Sequence, residues 1–195
     1  MSNKISKYPK LLETIKCLDG SVYNLGYHQD RVNTSRERLG LTDPLKLELS
    51  PPEEGLFRCR IIYSDTIHSL QYLPYQIKQP SRFKLIETDI SYSLKYEDRD
   101  AINALFNKKE EADEIIMIKN GLVMDSSIAN LCFFDGEKWL TPKYPLLKGT
   151  TRQRYLDLAK IQEADINANE IQNYSKIALM NAMLDFYIIE NAIIL

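Results

Sequence analysis

Glycine is scarce: there are seven in 195 residues, at positions 20, 26, 40, 55, 121, 136 and 149. No two are separated by a single residue, so neither the G-x-G-x-x-G dinucleotide loop nor a P-loop can be written in this chain. Two histidines and three scattered cysteines leave little material for a zinc site. No apolar run approaches the ~18 residues that span a bilayer, and no charged-then-apolar leader is read at the start. Charge of either sign is not in excess: 25 basic against 27 acidic residues give −2, which excludes a basic field for nucleic acid or an anionic membrane. Cys17, Cys59 and Cys132 are odd in number and form no C-x-x-C pair. Cys59 and Cys132 sit in apolar runs, so buried, reduced thiols and a cytoplasmic setting are expected. What is present is ordinary for a globular protein, 44% apolar and 27% charged, with enough chain for one sizeable domain or two small lobes.

Strand and helix signals alternate along the chain. Leu11–Leu18, Asp19-Gly20 and Ser21–Leu25 read as a hairpin, because Asp-Gly accepts the positive φ angles of a tight turn. Residues 27–39 read as a helix closed by Gly40. Thr42-Asp43-Pro44 offers a cap and a first-turn proline, so a short helix over Leu45–Leu49 is expected before Pro51-Pro52. Residues 57–63 and 69–77 read as strands, and residues 78–82 as the start of a linker. Residues 98–111 carry helical spacing at Ala101, Ile102 and Leu105. Residues 114–118, Asn120-Gly121 and residues 122–124 form the strongest hairpin signal. A second strand–turn–strand follows over residues 130–141. A helix over residues 151–163 and strands near 177–183 and 186–195 close the chain. The expected architecture is α/β (α+β), with two lobes joined near residues 80–93: a small N-terminal α/β domain over 1–85 and a β-rich C-terminal α/β domain over 86–195.

Four constellations bear on chemistry. His28-x-x-Arg31, with Ser35, shares one helix face and could meet an anion, although the interleaved Asp30 and Glu37 favour a solvated face. Arg58-x-Arg60 in a strand places two guanidinium groups on one face, opposite Cys59 and Ile61. Such a pair suits a carboxylate ligand or an exposed edge. Gly149-Thr150-Thr151-Arg152 precedes a helix, where unpaired N–H groups can hold a phosphate, or where a threonine simply caps. In Gly121–Phe134, Asp125 is either a turn former with Ser126 and Ser127 or a buried carboxylate in need of a cation.

In order and combination these pieces resemble the fold-type IV pyridoxal-phosphate enzymes, which comprise the branched-chain and D-amino-acid aminotransferases and 4-amino-4-deoxychorismate lyase. The resemblance runs from about Leu11 to Met183. It is densest at Ala112-Asp-Glu-Ile-Ile, Gly121–Phe134, Leu140-Thr-Pro and Gly149–Arg152. It implies a two-lobed D-amino-acid aminotransferase-like fold with pyridoxal 5′-phosphate as cofactor and no metal. Lys95, in Lys95-Tyr-Glu-Asp-Arg99, would form the Schiff base and shuttle protons, with Lys84 in reserve. Arg31 would contact the phosphate, Asp125 would face the pyridine nitrogen, and Thr150, Thr151 and Ala182 would give backbone N–H groups to the phosphate. Asn130 counts among the cofactor-binding residues, and Arg58 and Arg60 among those for a substrate carboxylate.

Several positions depart from the family pattern. Asp125 stands where the family has Glu, Cys132 replaces an aromatic residue, and Thr150 replaces an aliphatic one. Asp100 occupies the place of the tyrosine found in aminotransferases, and the chain is short. The short chain, the Arg58/Arg60 pair and the missing tyrosine favour a 4-amino-4-deoxychorismate lyase, which releases pyruvate and 4-aminobenzoate in folate biosynthesis. The alternatives are a class IV aminotransferase for a branched-chain or D-amino acid, or a non-catalytic anion-binding protein on the same fold. The resemblance further implies a small-molecule amine substrate and a homodimer.

Overall fold

The structure, a computed structural model, describes residues 6–195. Contacts divide them into two units. One runs to Gln76 and takes back Leu94–Asp98; the other comprises Ile77–Ser93 and Arg99–Leu195. The expected junction at residues 85 and 86 lies inside a strand of the second unit, Arg82–Glu87.

In the first unit, β1 (Leu11–Leu18) and β2 (Ser21–Val22) form the expected hairpin, with Asp19 and Gly20 at φ 47° and 73°. Ser21–Leu25 is not all strand, because helix α1 (Leu25–Arg38) already starts at Leu25. β3 (Leu56–Tyr63) and β4 (Ile67–Pro74) complete an antiparallel sheet in the order β2-β1-β3-β4. Strand alternation turns Leu11, Ile15 and Cys17 of β1 and Cys59 and Ile61 of β3 into a core shared with Val32 of α1.

The helix expected over Leu45–Leu49 does not form. Leu45, Leu47 and Leu49 instead pack on this core with period two. Their backbone is satisfied by Gln29 of α1, whose amide donates to Leu45 O at 2.8 Å and accepts from Leu47 N at 2.8 Å. Burying Leu47 and packing Leu45 and Leu49 beside it along an extended run outweigh the cap and proline signals. The returning segment is stitched to β1 by Leu12 N–H to Lys95 O (2.8 Å) and Glu97 N–H to Lys10 O (2.9 Å).

The second unit is strand-rich. Its strands are β5 (Arg82–Glu87), β6 (Glu114–Lys119), β7 (Leu122–Ser126), β8 (Asn130–Phe134), β9 (Trp139–Pro142), β10 (Gln162–Ala164), β11 (Lys176–Asn181), β12 (Asp185–Ile189) and β13 (Ile193–Ile194). They form one sheet, ordered β10-β9-β8-β7-β6-β5-β13, with β11 bridging β8 and β12. The Asn120-Gly121 turn has both residues at positive φ, 51° and 74°, as a two-residue hairpin requires.

Three expectations are corrected here. The linker reading of residues 78–82 hid β5, which begins at Arg82 and pairs in parallel with β6. The helix over 98–111 shrinks to α2 (Asp100–Phe106), and Glu110 beyond it sits at φ 54°. The helix over 151–163 is α3 (Thr150–Asp157), because the chain reverses at Ala159 (φ 52°) and Gln162–Ala164 pairs with β9. A 3-10 turn at Ala168–Asn173 was not foreseen. Among the described residues no helix is long and apolar enough to cross a membrane.

Candidate active site

In the first unit, β1 carries one acid among its inward-facing residues. Glu13 is fully buried between Leu11 and Ile15, and α1 supplies its partners. Arg31 donates to both carboxylate oxygens, Nε to Oε1 at 2.7 Å and Nη2 to Oε2 at 2.6 Å. His28 Nδ1 lies 2.7 Å from Oε2, and because an ionised carboxylate only accepts, that nitrogen is the donor. Burial pushes the Glu13 pKa up, but the Arg31 charge and the hydrogen bonds from His28 and Arg31 outweigh it, leaving a value of about 2. The His28-x-x-Arg31 face is therefore not solvated, and the anion it meets is the protein's own Glu13. Ser35, on the same face, is buried as well.

The opposite face of this sheet gathers three of the expected site residues. Arg58 and Arg60 lie side by side on β3, away from buried Cys59 and Ile61, as alternation requires. Tyr96 pairs with Leu11 and its ring joins the core, so Lys95 and Glu97 on either side of it turn outward. Glu97 receives Arg60 Nη2 at 3.3 Å, and Lys10 at 3.9 Å. Arg58 lies over the Tyr75 ring at 5.8 Å. Lys95 is half-buried. Lys84, the reserve lysine, is ion-paired with Glu110 at 2.5 Å in the second unit.

In the second unit, Asp125 and Asn130 are paired residues of β7 and β8, so their side chains share a face. Asp125 is buried, as one of the two sequence readings allowed, but its direct partners are amides and not a cation. Asn130 Nδ2 donates to Oδ1 at 2.6 Å and Leu147 N donates to Oδ2 at 3.0 Å. Burial drives the Asp125 pKa up to about 7, against smaller opposing effects of Leu147, Asn130, the Arg152 charge and Leu146. Asn130 also donates to Leu147 O at 2.8 Å and accepts from Gly149 N at 3.1 Å.

Gly149, not a threonine, occupies the N-cap of α3, and no side chain caps the helix. Thr150 and Thr151 are buried in its first turn. Arg152 turns inward, donating to Pro142 O at 2.8 Å and pairing with Glu163 at 2.6 Å, so it anchors α3 to β9 and β10. Ala182 lies in the β11–β12 turn, where Asn181 Oδ1 accepts from Met183 N and Leu184 N. Cys17, Cys59 and Cys132 are unbridged and buried. No group of three or more His, Cys, Asp or Glu suited to a metal ion occurs among the described residues.

Two buried acids escaped the sequence reading. Glu13 had a signal: an acid in the inward register of an apolar strand, with His-x-x-Arg downstream. Glu114 opens β6, and its carboxylate accepts from Ser127 Oγ at 2.9 Å and Ser127 N at 3.2 Å, its pKa raised by burial. Arg99 donates to Ser127 O at 2.7 Å, so the β7–β8 loop is held from both sides. Nothing local in Ala-Asp-Glu-Ile-Ile marks Glu114 as paired.

A buried carboxylate wired to an uncapped helix start, on a strand-rich two-unit fold, defines a class that comparison makes explicit. The chain belongs to the amino-transferase class IV family, which it matches over residues 93–192. An uncharacterized protein of Haemophilus influenzae is 43% identical over 90% of this chain and 98% of its own length. A crystal structure of a protein provisionally described as a 4-amino-4-deoxychorismate lyase, from Haemophilus somnus, superposes with TM-score 0.80 at 39% identity, covering 92% of this chain and 98% of that one. An aminotransferase from Brucella abortus bound to pyridoxal phosphate shares the fold at TM-score 0.70 and 16% identity, over 92% of this chain and 80% of its own.

Proposed function

We propose that this protein is a pyridoxal-phosphate-dependent 4-amino-4-deoxychorismate lyase. Asp125 carries the reading. It is a buried carboxylate served by neutral donors, at the position where the family resemblance puts the partner of the pyridine nitrogen. With a pKa near 7 it gains by ionising against a protonated ring nitrogen, which would give it the charge partner that its immediate surroundings lack.

The start of α3, in the same unit, fits the same group. Gly149 leaves the first N–H groups of α3 without a side-chain cap, which suits a phosphate. Arg31, which the resemblance would set against the phosphate, is held bidentately by Glu13 within the first unit. When bound, the cofactor supplies an electron sink for the carbanion at the amine-bearing carbon. Lys95 Nζ would take the proton from that ring carbon of the substrate, after which pyruvate leaves and the ring aromatises to 4-aminobenzoate. Arg58 and Arg60, on the same sheet face as Lys95, would hold substrate carboxylates, Arg60 by exchanging Glu97 for the ligand. The identity shared with the Haemophilus somnus protein favours lyase over transaminase. So does a 26% identity with a Schizosaccharomyces pombe protein provisionally described as an aminodeoxychorismate lyase.

The test uses purified protein loaded with pyridoxal phosphate. Borohydride should fix the cofactor on the peptide containing Lys95, and 4-amino-4-deoxychorismate should yield pyruvate with no keto acid added. Lys95→Ala should abolish both. An absolute requirement for a keto acid returns the aminotransferase reading, and full activity in Lys95→Ala removes the lysine assignment.

A further inference from the structure

We propose that Asn130 and Gly149 are positioning residues that join the Asp125 carboxylate and the start of α3 into one rigid unit, so that the two ends of a bound cofactor are set together. What the unit serves rests on the function proposed above; the unit itself is a property of the second unit's β7, β8 and α3.

Three observations carry it. First, the Asn130 amide is engaged through both its nitrogen and its oxygen. Its two N–H groups go to Asp125 Oδ1 at 2.6 Å and Leu147 O at 2.8 Å, and its oxygen accepts from Gly149 N at 3.1 Å. A residue so committed holds other groups in place.

Second, Leu147 closes the loop by donating to Asp125 Oδ2 at 3.0 Å, so carboxylate, amide and the 147–149 backbone form a ring of hydrogen bonds.

Third, Gly149 has φ −74° and ψ 148°, a conformation open to any residue, so its backbone does not call for glycine. Space does. A Cβ at Gly149 would stand 2.1 Å from Asn130 Oδ1. Helix caps favour Ser, Thr, Asp or Asn, and glycine here gives up that hydrogen bond to let the amide approach. Asp125 is one methylene shorter than glutamate, so its reach depends on how well this ring fixes it.

The groups around Asp125 are Asn130 on β8, the N–H groups of Leu146 and Leu147, and Arg152 on α3, whose guanidinium is paired with Glu163. Asn130 is the one side chain donating a hydrogen bond to the carboxylate, and it favours the ionised form. Its loss should move the pH profile of cofactor binding to higher pH, which a merely structural loss would not do.

The experiment compares the full chain with Asn130→Ala, Gly149→Ala and the double variant. Affinity for pyridoxal phosphate is titrated against pH, and thermal unfolding is measured without cofactor. Each single substitution should weaken cofactor binding by about tenfold or more, as losing a buried hydrogen-bond partner does, and shift the profile upward. The double variant should be no worse than Asn130→Ala alone in either measurement, because removing the amide removes what the added Cβ strikes. Additive losses, or an unmoved pH profile in Asn130→Ala, overturn the proposal. If the parent protein binds no pyridoxal phosphate, the functional reading fails, while cofactor-free unfolding still decides the coupling.

Discussion

Glu13 and Asp125 are both buried carboxylates on the strands of their respective units, yet burial leads to opposite outcomes. At Glu13 the partners are a bidentate arginine and a histidine, and the pKa falls to about 2. At Asp125 the direct partners are a side-chain amide and a backbone N–H, and the pKa rises to about 7. Desolvation acts upward on both, so the donor decides. A cationic fork makes a permanent ion pair, which suits a clamp between β1 and α1. Neutral donors orient a carboxylate and stabilise its charge too little to offset burial, which suits a group that waits for a cationic ligand.

The largest effect should follow from breaking the clamp. Glu13→Gln leaves the Arg31 charge without its counterion in a buried setting. Breaking such a pair costs on the order of 3–5 kcal/mol, or roughly 10 °C in Tm for a chain of this size, readable by calorimetry.

Next in size is the pH dependence, which separates the two acids. The Glu13 pKa is depressed, so its contribution is full above about 4.5 and is lost as pH falls toward about 2. The Asp125 pKa is raised, so its contribution is full below about 3.8 and is lost as pH rises through about 7. Cofactor-free protein should therefore lose stability between about pH 4.5 and pH 7 and level off above, and Asp125→Asn should flatten that slope. A slope unchanged by Asp125→Asn contradicts the assignment.

The smallest effect on stability, and the clearest split from function, should come from Arg60→Ala. Its ion pair with Glu97 is about a third exposed on both sides, so unfolding should change by about 0.5 kcal/mol or less. The KM for a carboxylate substrate should nevertheless rise about tenfold, the cost of one lost charge-assisted contact.

Much of this was readable from the sequence, and the rest was hidden for definite reasons. Alternation and the Asp-Gly and Asn-Gly turns gave the hairpins of both units, because those signals are local. The order of short motifs gave the family. Helix lengths misled, since α2 and α3 stop where the chain is wanted for turns and strand pairing, as at Ala159 before Gln162–Ala164. Leu45–Leu49 misled because its partner, Gln29, is distant in sequence. At the site, Asp125 could be singled out but its donors could not, since Leu147 lies twenty-two residues away. Arg31 was named for its charge, while the residue that fixes that charge, Glu13, was passed over as part of a strand.

The most direct test of the account is a carbon-detected titration of the side-chain carboxyl groups in cofactor-free protein, with Asp125→Asn and Glu13→Gln to assign the two resonances. The account predicts one carboxyl titrating near pH 7 that disappears in Asp125→Asn, and one still ionised at pH 3 that disappears in Glu13→Gln. Two carboxyls titrating together near pH 4 would contradict it.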